Sequence, residues 1–284
     1  MKNYRAELTG VFGDPVDGNP TGVAMEAAYA DKKLNYRYLT LKVSAENLEA
    51  AMKTLYLFNM KGINLTMPNK IKVIPFLDEL SKAAEIIGAV NTVIVQDDGK
   101  LFGENTDGKG FVQALQNKGI SLKDKNITIL GAGGAAKAIA VECALYGASS
   151  ISVISRNLKP AQELVNILAK HTKVQAHCEQ WENNHKISES TDILINATPV
   201  GMKPNDKEKP DIDYNCISSN MIAVDVVFDP VDTLFLDEIR KRGAVTVTGM
   251  GMLACQASLN FKLWTGIEPS LKVMEEALRK EFRE

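Results

Sequence analysis

Residues 126–148, NITILGAGGAAKAIAVECALYGA, constrain the fold more tightly than any other stretch of the chain. Asn126 to Leu130 is a short, largely apolar, β-branched run of the kind found in a parallel sheet covered on both faces. Gly131, Gly133 and Gly134 follow at once, and an alanine-rich helix comes after them. Strand, glycine turn and helix, in that order, are the setting in which such glycines hold a pyrophosphate. Gly131 would let the chain reverse tightly, and Gly133 would let bare backbone approach the phosphates. Gly134, Ala135 and Ala136 would let the helix lie close to the strand, with its N-terminal N–H groups aimed at the ligand. The expectation is a dinucleotide site in a doubly wound parallel sheet.

The stretches around it agree. Strands are expected at 127–130, 150–155, 193–196, 222–227 and 245–248, with a weaker one near 173–176, and helices fill most of the gaps. In such a fold the end of the second strand selects the cofactor, because a carboxylate there grips the ribose 2′-OH and repels a 2′-phosphate. Here that strand ends Ser155-Arg156-Asn157-Leu158-Lys159, without a carboxylate. Arg156 can meet a phosphate in charge-assisted geometry, which points to NADP, with NAD left open as a second cofactor.

The first half alternates strands and helices without a glycine signature. Strands are expected at 5–12, 35–43 and 62–65, helices near 23–30, 46–58 and 74–87, and a hairpin formed by 89–96 and 100–104. Helices from Gly249 to the end, the last at 270–282, have no strand after them, so packing back on the first domain is expected. With 284 residues and 45% apolar content the chain can fill two cores that meet across a cleft.

Composition narrows the partners. A net charge of −2 gives no electrostatic footprint for nucleic acid or an anionic membrane. No apolar run reaches about 18 residues, and MKNYRAELTG lacks the core of a secretory signal, so a cytoplasmic protein is expected. Cys143, Cys178, Cys216 and Cys255 are scattered without metal-ligand spacing, which points to free thiols and no metal. His171, His177 and His185 all fall in the second half. Chemistry in the first 170 residues must therefore move its proton with another side chain.

Two polar strand ends in that half supply candidates: Asn64-Leu65-Thr66-Met67-Pro68-Asn69-Lys70 and Gly103-Glu104-Asn105-Thr106-Asp107-Gly108. Hydride leaves a carbinol carbon only if a base takes the hydroxyl proton, and the reverse needs an acid. A lysine held by an aspartate can do both. Taken alone, these residues also suit a surface ion pair with turn-forming Asn and Asp.

Across essentially its whole length the chain resembles the shikimate dehydrogenase family, which includes quinate/shikimate dehydrogenases. The motifs that carry the resemblance, in order, are GINLTMPNK (62–70), GAVNT (88–92), GENTDGKG (103–110), LGAGGAAKA (130–138), INATPVGM (195–202), VDVVFDP (224–230) and GMGMLACQASLNFKLWTG (249–266). The resemblance implies an α/β substrate domain at 1–108, a Rossmann-like NADP domain at 109–249 and C-terminal helices at 250–284 returning to the first. It implies reversible NADP-linked reduction of 3-dehydroshikimate to shikimate, with Lys70 as acid/base and Asp107 as its partner. Asn64, Thr66, Asn91 and Gln256 match positions lining the family's substrate pocket, though each also suits a turn or cap. Gly131, Ala132, Gly133, Gly134 and Ala135 match its phosphate turn, and Ser155, Arg156, Asn157 and Lys159 its adenosine-phosphate grip. Asn196-Ala197-Thr198, Val226 and Gly249 fall where the family approaches the nicotinamide. Pro160 stands where a second arginine is common, implying a weaker hold on the 2′-phosphate.

Two departures bear on the substrate. The family's His-Ser-x-Ser-Pro stretch, whose serines bind the substrate carboxylate, is Gly18-Asn19-Pro20-Thr21-Gly22 here. Thr21 keeps a hydroxyl, Asn19 replaces one with an amide, and Phe228 replaces a common tyrosine. One lost hydrogen bond to a charged group costs roughly 1.5–3 kcal/mol, or about ten- to a hundredfold in affinity. The resemblance thus leaves open quinate or a related, for instance amino-substituted, ring acid, and a non-catalytic NADP-binding regulator. The partner expected is a small hydroxylated ring carboxylate, bound by a monomer or homodimer.

Overall fold

The computed structural model of the chain describes residues 4–282; residues 1–3 and 283–284, the outer ends of the expected domain ranges, lie outside it. Two compact units form: one holds the chain up to Thr106 and resumes at Ala254, and the other runs from Asp107 to Leu253.

In the first unit β1 (Glu7–Gly13), α1 (Thr21–Asp31), β2 (Tyr36–Lys42), α2 (Leu48–Leu57), β3 (Gly62–Leu65) and α3 (Asn69–Lys72) are followed by β4 (Glu79–Leu80), α4 (Lys82–Ile87), β5 (Thr92–Val95) and β6 (Leu101–Glu104). They build a mixed sheet in the order β2-β1-β3-β5-β6-β4. β1 runs parallel to β2 and β3, while β5 and β6 form the antiparallel hairpin expected, with Thr92 opposite Glu104. Phe12, Leu48, Leu55, Ile63, Leu65 and Val93 fill the core on one face.

The helix expected over 74–87 does not form as one element. A 3-10 turn at Ile74–Phe76 ends where Leu77 turns extended (φ −107°, ψ 142°). Asp78 then pairs with the edge of β6: its N–H donates to the Leu101 carbonyl (3.0 Å), and its carboxylate accepts from the Leu101 N–H (2.7 Å). The helix restarts only at α4, capped by Ser81 Oγ, which accepts from the Ala84 N–H at 3.1 Å. Pairing with an open sheet edge outweighs the helical period.

The second unit holds α5 (Thr106–Gln116) from Asp107 on, β7 (Asn126–Leu130), α6 (Gly134–Leu145), β8 (Ser150–Ser155), α7 (Leu158–His171), β9 (Gln175–Gln180), β10 (Ile193–Asn196), β11 (Ile222–Asp225), α8 (Leu234–Arg240) and β12 (Val245–Val247). Its strands are all parallel in the order β12-β11-β10-β7-β8-β9. Counted from β7, this is the 3-2-1-4-5-6 order of a dinucleotide-binding sheet. β11 stops two residues short of its expected end because the Asp225 carboxylate takes the Val227 N–H (3.0 Å).

α9 (Gly249–Thr265) and α10 (Leu271–Glu281) complete the chain. From Ala254 onward they belong to the first unit, as expected of the C-terminal helices. Trp264 Nε1 donates to the Val93 carbonyl on β5 at 3.0 Å. Only glycine at 62 permits that approach, since a Cβ there would lie 2.1 Å from the indole nitrogen. α10 lies against α1 and buries Met274 and Leu278. Among the described residues no helix is long and apolar enough to cross a membrane, and all four cysteines are free thiols.

Candidate active site

The polar strand ends of the first unit converge on a buried network. β3 carries Asn64, whose Nδ2 donates to the Asn91 carbonyl (3.0 Å) and Thr92 Oγ1 (3.1 Å), and whose Oδ1 accepts from the Tyr38 hydroxyl (2.8 Å). Asn91 stands just before β5. Its Oδ1 accepts the Thr106 N–H at 2.7 Å, and its Nδ2 donates to Thr106 Oγ1 at 3.0 Å. From α9, Asn260 Oδ1 accepts from both Thr92 and Thr106 hydroxyls at 2.8 Å. Its Nδ2 donates to Gln256 Oε1 (3.0 Å), and Gln256 Nε2 reaches Thr21 Oγ1 (3.3 Å) at the start of α1. Asn19 Oδ1 accepts the Thr21 N–H at 3.0 Å. Thr21, Asn64, Asn91 and Gln256 are thus brought together with Asn19 beside them, and every member but Asn19 is buried.

Backbone bonds fix where Lys70 stands. The Thr66 N–H donates to Phe12 (3.0 Å), the Asn69 N–H to Thr66 (2.8 Å), and the Val90 N–H to the Lys70 carbonyl (2.8 Å). The fully buried Asn69 donates from Nδ2 to the Val43 carbonyl at 2.8 Å. Asp107 opens the second unit, directly after Thr106, whose N–H and hydroxyl are held by Asn91 and Asn260. One short segment, Val90-Asn91, therefore pins the backbone of both Lys70 and the residue before Asp107.

In the second unit the sheet reverses its winding between β7 and β10, the place where open parallel sheets bind ligands. Gly131 leaves β7 at φ +104°, and a Cβ on it would come within 2.9 Å of Thr198 Cγ2. At Gly133 and Gly134 an added Cβ meets nothing within 4 Å. The backbone entering α6 therefore faces open space, as a pyrophosphate cradle requires. Gly134 is not the packing residue expected; Ala136, fully buried, has that place. Ala132 and Ala135 flank the turn and are half-buried.

At the end of β8, Ser155 Oγ accepts the Asn157 N–H (3.3 Å), and Asn157 Oδ1 caps α7 through the Lys159 N–H (3.1 Å). Those bonds leave the Arg156 and Lys159 side chains on the surface. These residues fit NADP: the α6 N-terminus for the pyrophosphate and Arg156 for the 2′-phosphate. Thr198 donates to Asn196 Oδ1 at 2.6 Å, and Gly249 lies against the carbonyls of Val226 and Val227. Phe228, half-buried, follows them in the same unit.

Several members of this architecture escape a reading of the sequence. Tyr38, Thr92, Thr106 and Asn260 join the first network; the polar pair Gln256 and Asn260, one helical turn apart on an otherwise apolar stretch, was the available signal. Asp225 is fully buried and accepts from Asn196 Nδ2 (3.0 Å) and Thr233 Oγ1 (2.7 Å). Burial pushes its carboxyl up to about 6 although these bonds and the Val227 N–H pull it down.

Comparison with known proteins matches this geometry. Residues 11–93 match the model of the shikimate dehydrogenase substrate binding domain, 113–226 that of shikimate/quinate 5-dehydrogenase, and 249–279 that of the shikimate 5′-dehydrogenase C-terminal domain. A shikimate dehydrogenase (NADP(+)) of Desulforamulus reducens is 39% identical over 282 residues, 98% of this chain and 97% of that protein. The ligand-free crystal structure of 5-ketofructose reductase of Gluconobacter sp. strain CHM43 superposes with a TM-score of 0.95 at 36% identity, covering 99% and 100% of the chains. Shikimate 5-dehydrogenase of Listeria monocytogenes, in complex with shikimate and NAD, superposes with a TM-score of 0.92 at 33% identity and 97% coverage of each chain.

Proposed function

The chain belongs to the shikimate dehydrogenase family, and from that premise we propose that it is an NADP-dependent shikimate dehydrogenase, interconverting 3-dehydroshikimate and shikimate. What carries the reading is the joint presence of a dinucleotide-ordered sheet with its open glycine turn and of Lys70 in α3, its backbone pinned by Val90. In this reading the first unit binds the ring acid and the second binds the cofactor.

The α6 N-terminus and Arg156 would hold NADPH, and the chemistry it would supply when bound is a hydride for the ring carbonyl carbon. Lys70 delivers the proton to the carbonyl oxygen, so hydride and proton together give the alcohol. In the reverse direction Lys70 takes that proton back. Asp107 is the partner that orients the lysine. Asn64, Thr66, Asn91 and Gln256 present neutral donors and acceptors to a hydroxylated ring, and Phe228 adds an apolar contact. Thr198, Val226 and Gly249 line the nicotinamide side.

Initial rates with shikimate and quinate, each with NADP and with NAD, test the reading. Shikimate with NADP should be the best pair; turnover of neither acid with either cofactor would refute it. A second reading keeps the chemistry and changes the substrate to a keto sugar such as 5-ketofructose. The altered Gly18–Gly22 segment favours it, as does the likeness to a reductase of that name.

A further inference from the structure

Where the dinucleotide sheet reverses its winding, one buried amide links two strand ends to the glycine turn, and the direction of its bonds shows what it holds. Asn196 is the last residue of β10 and is fully buried. Its Nδ2 donates to Asp225 Oδ1 (3.0 Å), at the end of the neighbouring β11, and to the Val200 carbonyl (3.2 Å). A carboxylate and a carbonyl only accept, so the nitrogen end of the amide is fixed there and Oδ1 points the other way. Oδ1 accepts from the Thr198 hydroxyl at 2.6 Å and from the Thr198 N–H at 3.2 Å. Thr198 Oγ1 in turn accepts the Val200 N–H at 3.2 Å. Asp225 is itself held by the Thr233 hydroxyl (2.7 Å) and the Val227 N–H (3.0 Å).

These bonds close the 197–200 turn on itself and commit the single hydroxyl proton of Thr198 to Asn196. The methyl group of Thr198 is turned instead to the glycine turn that leaves β7. A Cβ on Gly131 would come within 2.9 Å of Thr198 Cγ2 and 3.1 Å of the Ala197 carbonyl oxygen. The Ala197 N–H donates to the Leu130 carbonyl at 2.9 Å, one residue before that glycine. The 197–200 turn is therefore a wall beside the phosphate cradle, and it is fixed from behind. All its anchors lie within the second unit, and both Asn196 and Asp225 are out of reach of solvent. Removing either one leaves a buried partner unpaired, so the wall has one arrangement that satisfies every group.

Resting on the reading of the second unit as the NADP domain, we infer that Asn196 is a positioning residue for the cofactor, anchored by Asp225, and that the pair sets the 197–200 turn against Gly131 before the cofactor arrives. Binding tests this whichever ring acid is the substrate: NADP is titrated by calorimetry into the parent and its variants. Asn196→Ala and Asp225→Ala should each raise the Kd for NADP by about ten- to a hundredfold, the cost of a wall displaced by about an ångström. Asp225→Asn, whose carbonyl still accepts from Asn196, should stay within about threefold of the parent; a loss equal to that of Asp225→Ala counts against the bond to Asn196. Alanine variants with a lower Tm that bind NADP like the parent would make the pair merely structural and overturn the inference. A double-mutant cycle checks the route. With Asn196→Ala in place, Thr198→Val should weaken NADP binding no further, and additive losses would mean that Asn196 does not act through Thr198. Amide exchange needs no variant. The Thr198 and Val200 N–H groups of the parent should be protected at least about a hundredfold before NADP is added. Unprotected amides that slow only with NADP would show a wall built by the cofactor and overturn the inference. A parent that binds no NADP would retire the cofactor reading and the inference with it.

Discussion

Asp225 joins β10, β11 and the loop after them, and its carboxyl is the group whose ionisation the fold resists most measurably. Its pKa rises from 3.8 to about 6, because burial outweighs the bonds from Thr233, Val227 and Asn196. Below the unfolded value both states hold the proton and the fold is at its most stable. As pH climbs from about 4 to about 6 the unfolded chain releases the proton first, so stability falls, and it levels off above the folded value. At about 1.36 kcal/mol for each unit, the loss comes to about 3 kcal/mol. Asp225→Asn keeps the shape and removes the charge. Its carbonyl can still accept from Asn196 and Val227, and its N–H₂ can donate to Thr233 Oγ1. The variant should match the parent near pH 4 and exceed it by about 3 kcal/mol near pH 7.5.

Denaturant midpoints for both proteins at the two pH values, in one buffer of fixed ionic strength, give the difference of differences. Every other titrating group cancels from it. A value near zero would show that the carboxylate is as well solvated by its three donors as by water. A negative value, with the variant weaker at pH 7.5, would show that those donors outweigh burial. Either result refutes the balance drawn here.

Three further substitutions follow from the same structure. Lys70→Ala should lower kcat by about 10²–10⁴-fold while NADP binding, followed by nucleotide fluorescence, stays unchanged; near-normal turnover at saturating substrate would remove Lys70 from the mechanism. Arg156→Gln should raise the KM for NADP by about ten- to a hundredfold and leave that for NAD unaltered, so equal effects on both would mean that Arg156 does not meet the 2′-phosphate. Asn260→Ala strands Gln256 Oε1 and takes one acceptor from the Thr92 and Thr106 hydroxyls, which keep Asn91, and should cost about 1–3 kcal/mol in urea denaturation; a loss under about 0.5 kcal/mol would mean that the network re-forms around the gap.

How much of this was legible depended on the range of the forces involved. The parallel sheet was readable because β7, β8, β10 and β11 are short, largely apolar runs bounded by turns, and Gly131 marks the turn by itself, whereas the polar edge strand β9 gave only a weak signal. The 74–87 segment misled because Ile74, Leu77, Ile86 and Ile87 keep a helical spacing, while the deciding bonds come from Leu101, over twenty residues away. Lys70 and Asp107 stood out as charges on strand ends. The buried network did not, since Thr21, Tyr38, Asn64, Thr92, Gln256 and Asn260 are neutral, common residues spread across 240 positions and united only by folding. Asp225 was visible as an acid but not as a buried one, which depends on Thr233 and Asn196 arriving beside it.

The way the first unit divides its hydrogen bonds would let a changed substrate end coexist with the proposed chemistry. Lys70 is placed by Val90, and its neighbour Asn69 by Val43 and Thr66; none of these bonds runs through residues 18–22. Thr106 is held by Asn91 through both its N–H and its hydroxyl, and its bonds to Asn260, direct and by way of Thr92, lead on through Gln256 to Thr21. Substitutions at 19, 21 and 22 therefore act on one end of the network, while the bonds that place Lys70 and the residue before Asp107 remain. Proton transfer needs the lysine in position within a few tenths of an ångström, and recognition of the far end of a substrate does not. A scaffold wired in this way can exchange the group it grips while keeping the group it reduces.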